Sequence, residues 1–300
     1  MEMEIAPSRQ KRTIGPGAGL QKRASYAALH LLALALGLGF MFPFFWTVAS
    51  SLKQVSEIYA FPPPWLPAIP QWNNYAKVFE FVPFHRWMAN TVYVAFLSTM
   101  GRLISATMAG YSFARFEYRG RDTLFLIMLS MMMIPAQVTL IPRYILFQKL
   151  GWLNTFKPLW VPAWFGGAAF HIFLMRQFIM SLPKDLDEAA LIDGANYFRI
   201  FRSIIIPLSK PVLATVTIIS FIASWNAFLN PLIYLDEKKK FTLAVGLDAL
   251  KTTNVGDAAG EPTFHYLMAG CVMSTTPIIL LFFAAQRYFV RGIVMSGIKG

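Results

Sequence analysis

The chain has 300 residues, of which 56% are apolar and 14% charged, and its mean hydropathy is +0.49. A soluble domain carries roughly 25% charged residues, so the apolar surplus exceeds what one water-soluble core can bury and implies a second, apolar solvent. The net charge of +12 does not point to nucleic acid, because the basic residues sit in short patches between long apolar runs, as in the loops of membrane proteins.

A bilayer crossing needs about 20 predominantly apolar residues, and six stretches meet that requirement: 26–50, 88–114, 123–141, 158–179, 209–234 and 266–290. The expected fold is therefore all-α and integral to the membrane, with six transmembrane helices. It divides into a tail (1–25), a first helix with a Pro-rich outer loop (26–87), a five-helix core (88–290) and a C-terminal tail (291–300). Basic residues precede the first helix and Thr47-Val48-Ala49 resembles a cleavage site. The apolar run is nevertheless too long for a signal peptide, and five more follow, so it reads as an uncleaved helix.

Lysine and arginine in the connecting segments set the orientation. They number 16 on the side of the N-terminus and 10 on the other, over similar lengths, which places both termini inside. Lys238-Lys239-Lys240 runs against that pattern. In the 51–87 loop, Phe61-Pro62-Pro63-Pro64-Trp65 with Pro67 and Pro70 predicts a stiff, extended connection. The 235–265 loop is long and polar, as a contact surface would be.

The six stretches contain no aspartate or glutamate. Ion-coupled carriers generally need such carboxylates, so an ion-gradient-driven secondary transporter or channel is the weaker alternative. Arg102 is the one charge deep in a span, with Ser98, Gly101, Ser105 and Ala109 along one side of its helix. It faces either a polar path or, the preferred reading, a neighbouring helix. The single cysteine, Cys271, and four scattered histidines offer no disulfide and no metal pattern. Helical His30 and His171 read as packed or interfacial residues. Gly292 and Gly297 have phosphate-loop spacing, but Ile298 stands where lysine is required. The chain carries no motif for ATP hydrolysis, no cofactor is implied, and no enzymatic activity is expected.

The 180–208 segment is the most informative. Asp185 and Glu188 have capping-box spacing, Leu186 to Asp193 allows two helical turns, and Gly194 suits the left-handed residue that ends them. So short a helix needs a surface to pack on. Tyr197, Ile200, Phe201, Ile204 and Ile205 then recur at helical spacing, an amphipathic stripe that Pro207 interrupts before the fifth span.

Glu188-Ala189-Ala190, Gly194, Ile204 and Ile206-Pro207 at their spacings resemble the EAA signature of ABC importer permeases, with Ile206 where that family usually has leucine. Further runs resemble its carbohydrate-uptake, MalG-type branch: Ala114-Arg115-Phe116, Ile134-Pro135, Phe173 to Phe178, Trp225 to Leu232, Ala285 to Tyr288 and Gly297 to Gly300. The resemblance implies a cytoplasmic coupling helix between the fourth and fifth spans that sits in a cleft of a separate ABC ATPase dimer. Glu188 would pair with a basic group there, Ala189 and Ala190 would keep the helix thin, Gly194 would supply the turn, and Asp193 is a further contact. Ser296, Gly297, Lys299 and Gly300 would reach along the ATPase. It also implies a second, different permease in a heterodimer, an extracytoplasmic solute-binding protein meeting the 235–265 loop, and a prokaryotic cell membrane. The substrate would be a sugar, an oligosaccharide or a glycerol-phosphate-like compound. Trp225, Asn226, Asn230 and Gln137 have the chemistry to meet a polyol or to pack between helices, and no substrate residue is assigned.

Overall fold

In the computed structural model, which describes residues 16–166, 168–252 and 263–296, the regular structure is helical and no strand occurs among the described residues. The first helix, α1 (Pro16–Ser51), holds the 27-residue apolar stretch Ser25–Ser51. Its side chains are exposed nearly all round, Leu31 at 67% and Phe40 at 82%. Only its C-terminal end is covered, with Ala49, Ser50 and Ser51 buried, and an apolar surface left open over the rest of its length suits lipid as solvent.

The Pro-rich connection is extended over much of its length but stapled back on itself. Asn74 Nδ2 donates to Ser51 O at 2.9 Å and to Lys53 O at 3.1 Å, and Ala68 N–H donates to Glu57 Oε1 at 2.8 Å. Asn74 belongs to a short helix, α2 (Asn73–Phe81), where a stiff, extended connection was expected. Val78 of α2 is fully buried, so tertiary packing has folded a segment whose prolines argued for extension.

Helix α3 (Phe84–Arg115) is the central strut. Its 32 residues span about 48 Å, and it packs against α6 (Lys157–Trp164), α7 (Ala169–Met180) and α10 (Lys210–Trp225). Close approach depends on a missing side chain at Gly110, where a Cβ would come within 2.6 Å of Met175 Cβ, as small residues permit between membrane helices. Two apolar clusters flank α3. One gathers Phe84, Trp87 and Ala95 with Val78, Trp225, Leu243 and Ala269. The other gathers Ala106, Tyr111 and Ala114 with Ile172, Met175, Ile179, Ile200, Ile205, Val212 and Val216. Between them lies a polar waist. Arg102 Nη1 donates to Ser224 Oγ at 2.7 Å and Ser220 O at 3.3 Å, Ser98 Oγ donates to Leu159 O at 3.0 Å, and Ser220 Oγ meets His171 Nε2 at 3.1 Å. Arg102 is thus turned toward a neighbouring helix, as preferred from the sequence, and His171 is packed. His30 bonds its own helix at Tyr26 O.

Three of the six expected spans differ from single helices, the 158–179 stretch being divided into α6 and α7. The 123–141 stretch divides into α4 (Arg121–Ser130) with a 3-10 turn at Met131–Met133, then a break before α5 (Leu140–Lys149). Ile134 takes ψ 116°, the extended geometry forced on a residue that precedes proline, here Pro135. The 209–234 stretch is helical as α10, breaks at Asn226 and resumes as α11 (Leu229–Tyr234). The amphipathic stripe forms α9 (Tyr197–Leu208), which meets α10 at 77°. That break falls at Ser209, past Pro207, which instead sits in the last turn of α9. The segments that are long and apolar enough to cross a membrane among the described residues are Ser25–Ser51, Phe84–Arg115, Lys157–Met180 and Phe264–Ala284, with the bent pair as a fifth if it counts as one. Phe264–Ala284 belongs to α13 (Phe264–Ser296), which packs on α1 and α10.

At the end of the molecule near Phe84, the Lys238–Lys240 turn is fixed through its backbone. Trp87 Nε1 donates to Lys238 O at 2.7 Å, and Asn90 Nδ2 donates to Lys239 O and Phe241 O, each at 3.0 Å. The Lys238 and Lys239 side chains are exposed. Beyond this turn α12 (Leu243–Thr252) lies against α3.

Candidate functional site

At the opposite end of α3 the chain leaves α7 and forms α8 (Asp185–Ile192). The expected capping box is not made. Helix geometry begins at Lys184, no side chain caps the helix, and Asp185 already lies in the first turn. Asp185, Asp187 and Glu188 still place negative charge where the helix dipole favours it. Asp187 is committed elsewhere: its Oδ2 stands 2.7 Å from Arg115 Nε, with side-chain exposures of 14% and 5%. Arg115 Nη2 also donates to Leu182 O at 3.1 Å. The last turn of α3 therefore grips α8 and the chain entering it. Burial pushes the Asp187 carboxyl above the ordinary carboxylate value; Arg115 opposes that shift and Glu188 adds to it.

The end of α8 is as firmly defined. Gly194 adopts φ +79°, Gly194 N–H donates to Leu191 O at 3.0 Å, and Ala195 N–H donates to Ala190 O at 2.9 Å. This is the pair of bonds of a Schellman ending, with glycine at its left-handed position as its sequence place suggested. Asn196 then caps α9, its Oδ1 accepting from Arg199 N–H at 2.8 Å. The Asn-x-x spacing ahead of an apolar stripe was the available signal for that cap.

Ala190, Ala195 and Ile200 pack against the apolar cluster at this end of α3. The opposite side of α8 carries Glu188, Ala189, Asp193 and Gly194, all exposed, with Ile192 at 87%. The structure thus brings four of the five sequence candidates in this loop onto an outer rim and turns Ala190 partly inward. It adds Ile192, an exposed apolar side chain that the periodicity of α8 alone does not single out. Chemically the rim is a narrow, mostly apolar ridge with one acid at Glu188 and another at Asp193, rigidly mounted and suited to enter a groove. Ser296 lies at the end of the described part of α13, and Gly297, Lys299 and Gly300 fall outside the described residues.

The polyol candidates separate. Trp225 is buried and its Nε1 donates to Ser274 O at 3.3 Å, so it serves packing. Asn226 and Gln137 are exposed. Asn230 lines a cavity of about 350 Å³ at the waist, together with Ser98, Arg102, Arg143 and Ser224.

The described residues thus form a body of apolar helices with a stiffly held, outward-facing loop helix. Residues 101–295 match the family described as the inner membrane component of binding-protein-dependent transport systems. Over 229 residues the chain is 35% identical to the arabinooligosaccharides transport system permease protein AraQ of Halalkalibacterium halodurans, covering 76% of this chain and 79% of that one. It is 33% identical over 301 residues to the maltose/maltodextrin transport system permease protein MalG of Escherichia coli, covering 93% and 97%. In fold it resembles a chain in the crystal structure of a bacterial ABC transporter involved in the import of the acidic polysaccharide alginate, with TM-score 0.80, 24% identity and coverage of 95% and 100%. The chain belongs to the family of ABC importer permease subunits, in its carbohydrate-uptake, MalG-type branch.

Proposed function

We propose that this permease imports a sugar or related polyol by coupling ATP hydrolysis in a separate ABC ATPase dimer to alternating access of its membrane helices. The observation that carries the reading is the mounting of α8: its ridge of Glu188, Ala189, Ile192, Asp193 and Gly194 is exposed, while its other side is tied to α3 through Asp187 and Arg115. A ridge held this way can pass a push from an ATPase cleft into the central helix without dissipating it in a slack loop. The chain crosses the membrane six times in this reading, with α4, its broken continuation and α5 supplying the third crossing and α10 with α11 the fifth. Both termini and α8 are cytoplasmic. Ser296, Gly297, Lys299 and Gly300 reach along the ATPase, a second permease completes a heterodimer, and an extracytoplasmic solute-binding protein meets the 235–265 loop. Support for the binding protein comes from the family's description, and support for a carbohydrate from the names of the relatives.

Copurification tests the reading. Wild type, coexpressed with its partner permease, should retain a carbohydrate-importer ATPase, and Glu188→Arg should lose it while remaining in the membrane. Retention of the ATPase by the variant removes Glu188 from the interface, and absence of any ATPase from the wild-type complex removes the coupling role altogether.

A further inference from the structure

The waist of α3 holds a feature that the coupling role does not use. Arg102 and Arg143 line one cavity of about 350 Å³, and no aspartate or glutamate is among its lining residues. That volume is in the range of small-molecule sites. The hydrogen bonds of Arg102 run from Nη1 alone, to two neutral acceptors on α10. The guanidinium of Arg143 makes no hydrogen bond or ion pair among the described residues, and its side chain is only partly exposed. Two guanidiniums lining one cavity without a carboxylate repel one another, and an anion held between them would relieve that repulsion. The cavity also presents Ser98, Ser224 and Asn230, hydroxyl and amide groups suited to sugar hydroxyls.

We propose that this cavity binds a small polyhydroxylated solute bearing an oxyanion, a carboxylate or a phosphate ester, with Arg102 and Arg143 as the anion-recognising pair. Guanidinium offers paired donors that match either group. A neutral sugar would leave both charges uncompensated, and a cationic solute would be repelled. The proposal deepens the transport function above and rests on it, since it makes the cavity part of the solute's path.

The test uses the detergent-solubilised complex of this chain with its partner permease and ATPase, followed by thermal unfolding. Galacturonate and glycerol 3-phosphate are compared with galactose and glycerol at matched ionic strength. The anionic probes should raise the unfolding midpoint and the neutral ones should not. Arg143→Gln should weaken the apparent affinity for the anions on the order of tenfold, the usual worth of a charged hydrogen bond. Arg102→Lys keeps the charge and the tie to α10 while losing the paired donors, and should weaken it as well. Equal shifts with neutral probes, no shift with any probe, or anion shifts unchanged in both variants would each overturn the proposal. Stabilisation by phosphatidylglycerol but not by the soluble anions would overturn it too, by making the cavity a lipid-headgroup site. Failure of the ATPase to copurify would sink the coupling role instead, and the probes then still report on the permease pair.

Discussion

Arg115 shows how one side chain can decide whether a loop is slack or stiff. Its guanidinium is 5% exposed and its carboxylate partner lies on a different element. Removing one member of such a pair leaves the other buried without compensation, at a cost of about 3–5 kcal/mol. Replacing both with apolar residues avoids that penalty. Thermal unfolding of Asp187→Leu, Arg115→Leu and the double variant should therefore show strong non-additivity, with the double variant more stable than Asp187→Leu alone. Additive losses would mean that the two groups do not act as a pair. The sequence presented both residues but not their partnership. Arg115 could be read only as part of a run, and Asp187 stood beside the Asp185 and Glu188 spacing that suggested a capping box. Which of three neighbouring acids meets a distant arginine depends on how α7 turns into α8, and that turn is a tertiary fact.

At the scale of the element, α8 was legible where local chemistry determines it. A glycine after two turns of helix former predicts a left-handed ending, and Gly194 provides one. A Cβ there meets nothing within 4 Å, so leucine at this position is penalised through backbone strain alone, about 1–2 kcal/mol. Gly194→Leu should leave membrane insertion intact while lowering ATP-driven uptake roughly tenfold, on the order of the equilibrium change such strain produces. Uptake at the wild-type rate would remove the turn from the coupling path. The broken helices were harder to read. Hydropathy averages over a window and is blind to a single Ile134-Pro135 step, although the rule that the residue before proline avoids helix geometry was already available. The break at Asn226 has no proline to announce it, and its signal would have been the amide of Asn226 inside an apolar run. The α2 helix was missed for the opposite reason: prolines upstream of it set the expectation for the whole loop, whereas Val78 and Asn74 fold that part by burial.

For the whole molecule, charge asymmetry and the two ends of α3 make a topological claim. Under the proposed orientation, Ile192 and Lys239 lie on opposite sides of the membrane. With Cys271 replaced by serine, a single cysteine at Lys239 should react with an impermeant maleimide added to intact cells. One at Ile192 should react only after the membrane is opened. The reverse pattern would invert the molecule and place α8 where no ATPase reaches it.

The anchoring of α3 has a mechanical corollary. One end is fastened to the loop bearing α8 through Arg115, and the other to the Lys238–Lys240 turn through Trp87 and Asn90. A single continuous helix of about 48 Å transmits tilt rather than absorbing it, so under the proposed coupling the two anchored ends would move as the ends of one lever. Under the proposed coupling, a ligand that grips the lysine turn from one side would act as a brake on the far end, and it would need neither the solute cavity nor the ATPase surface to act.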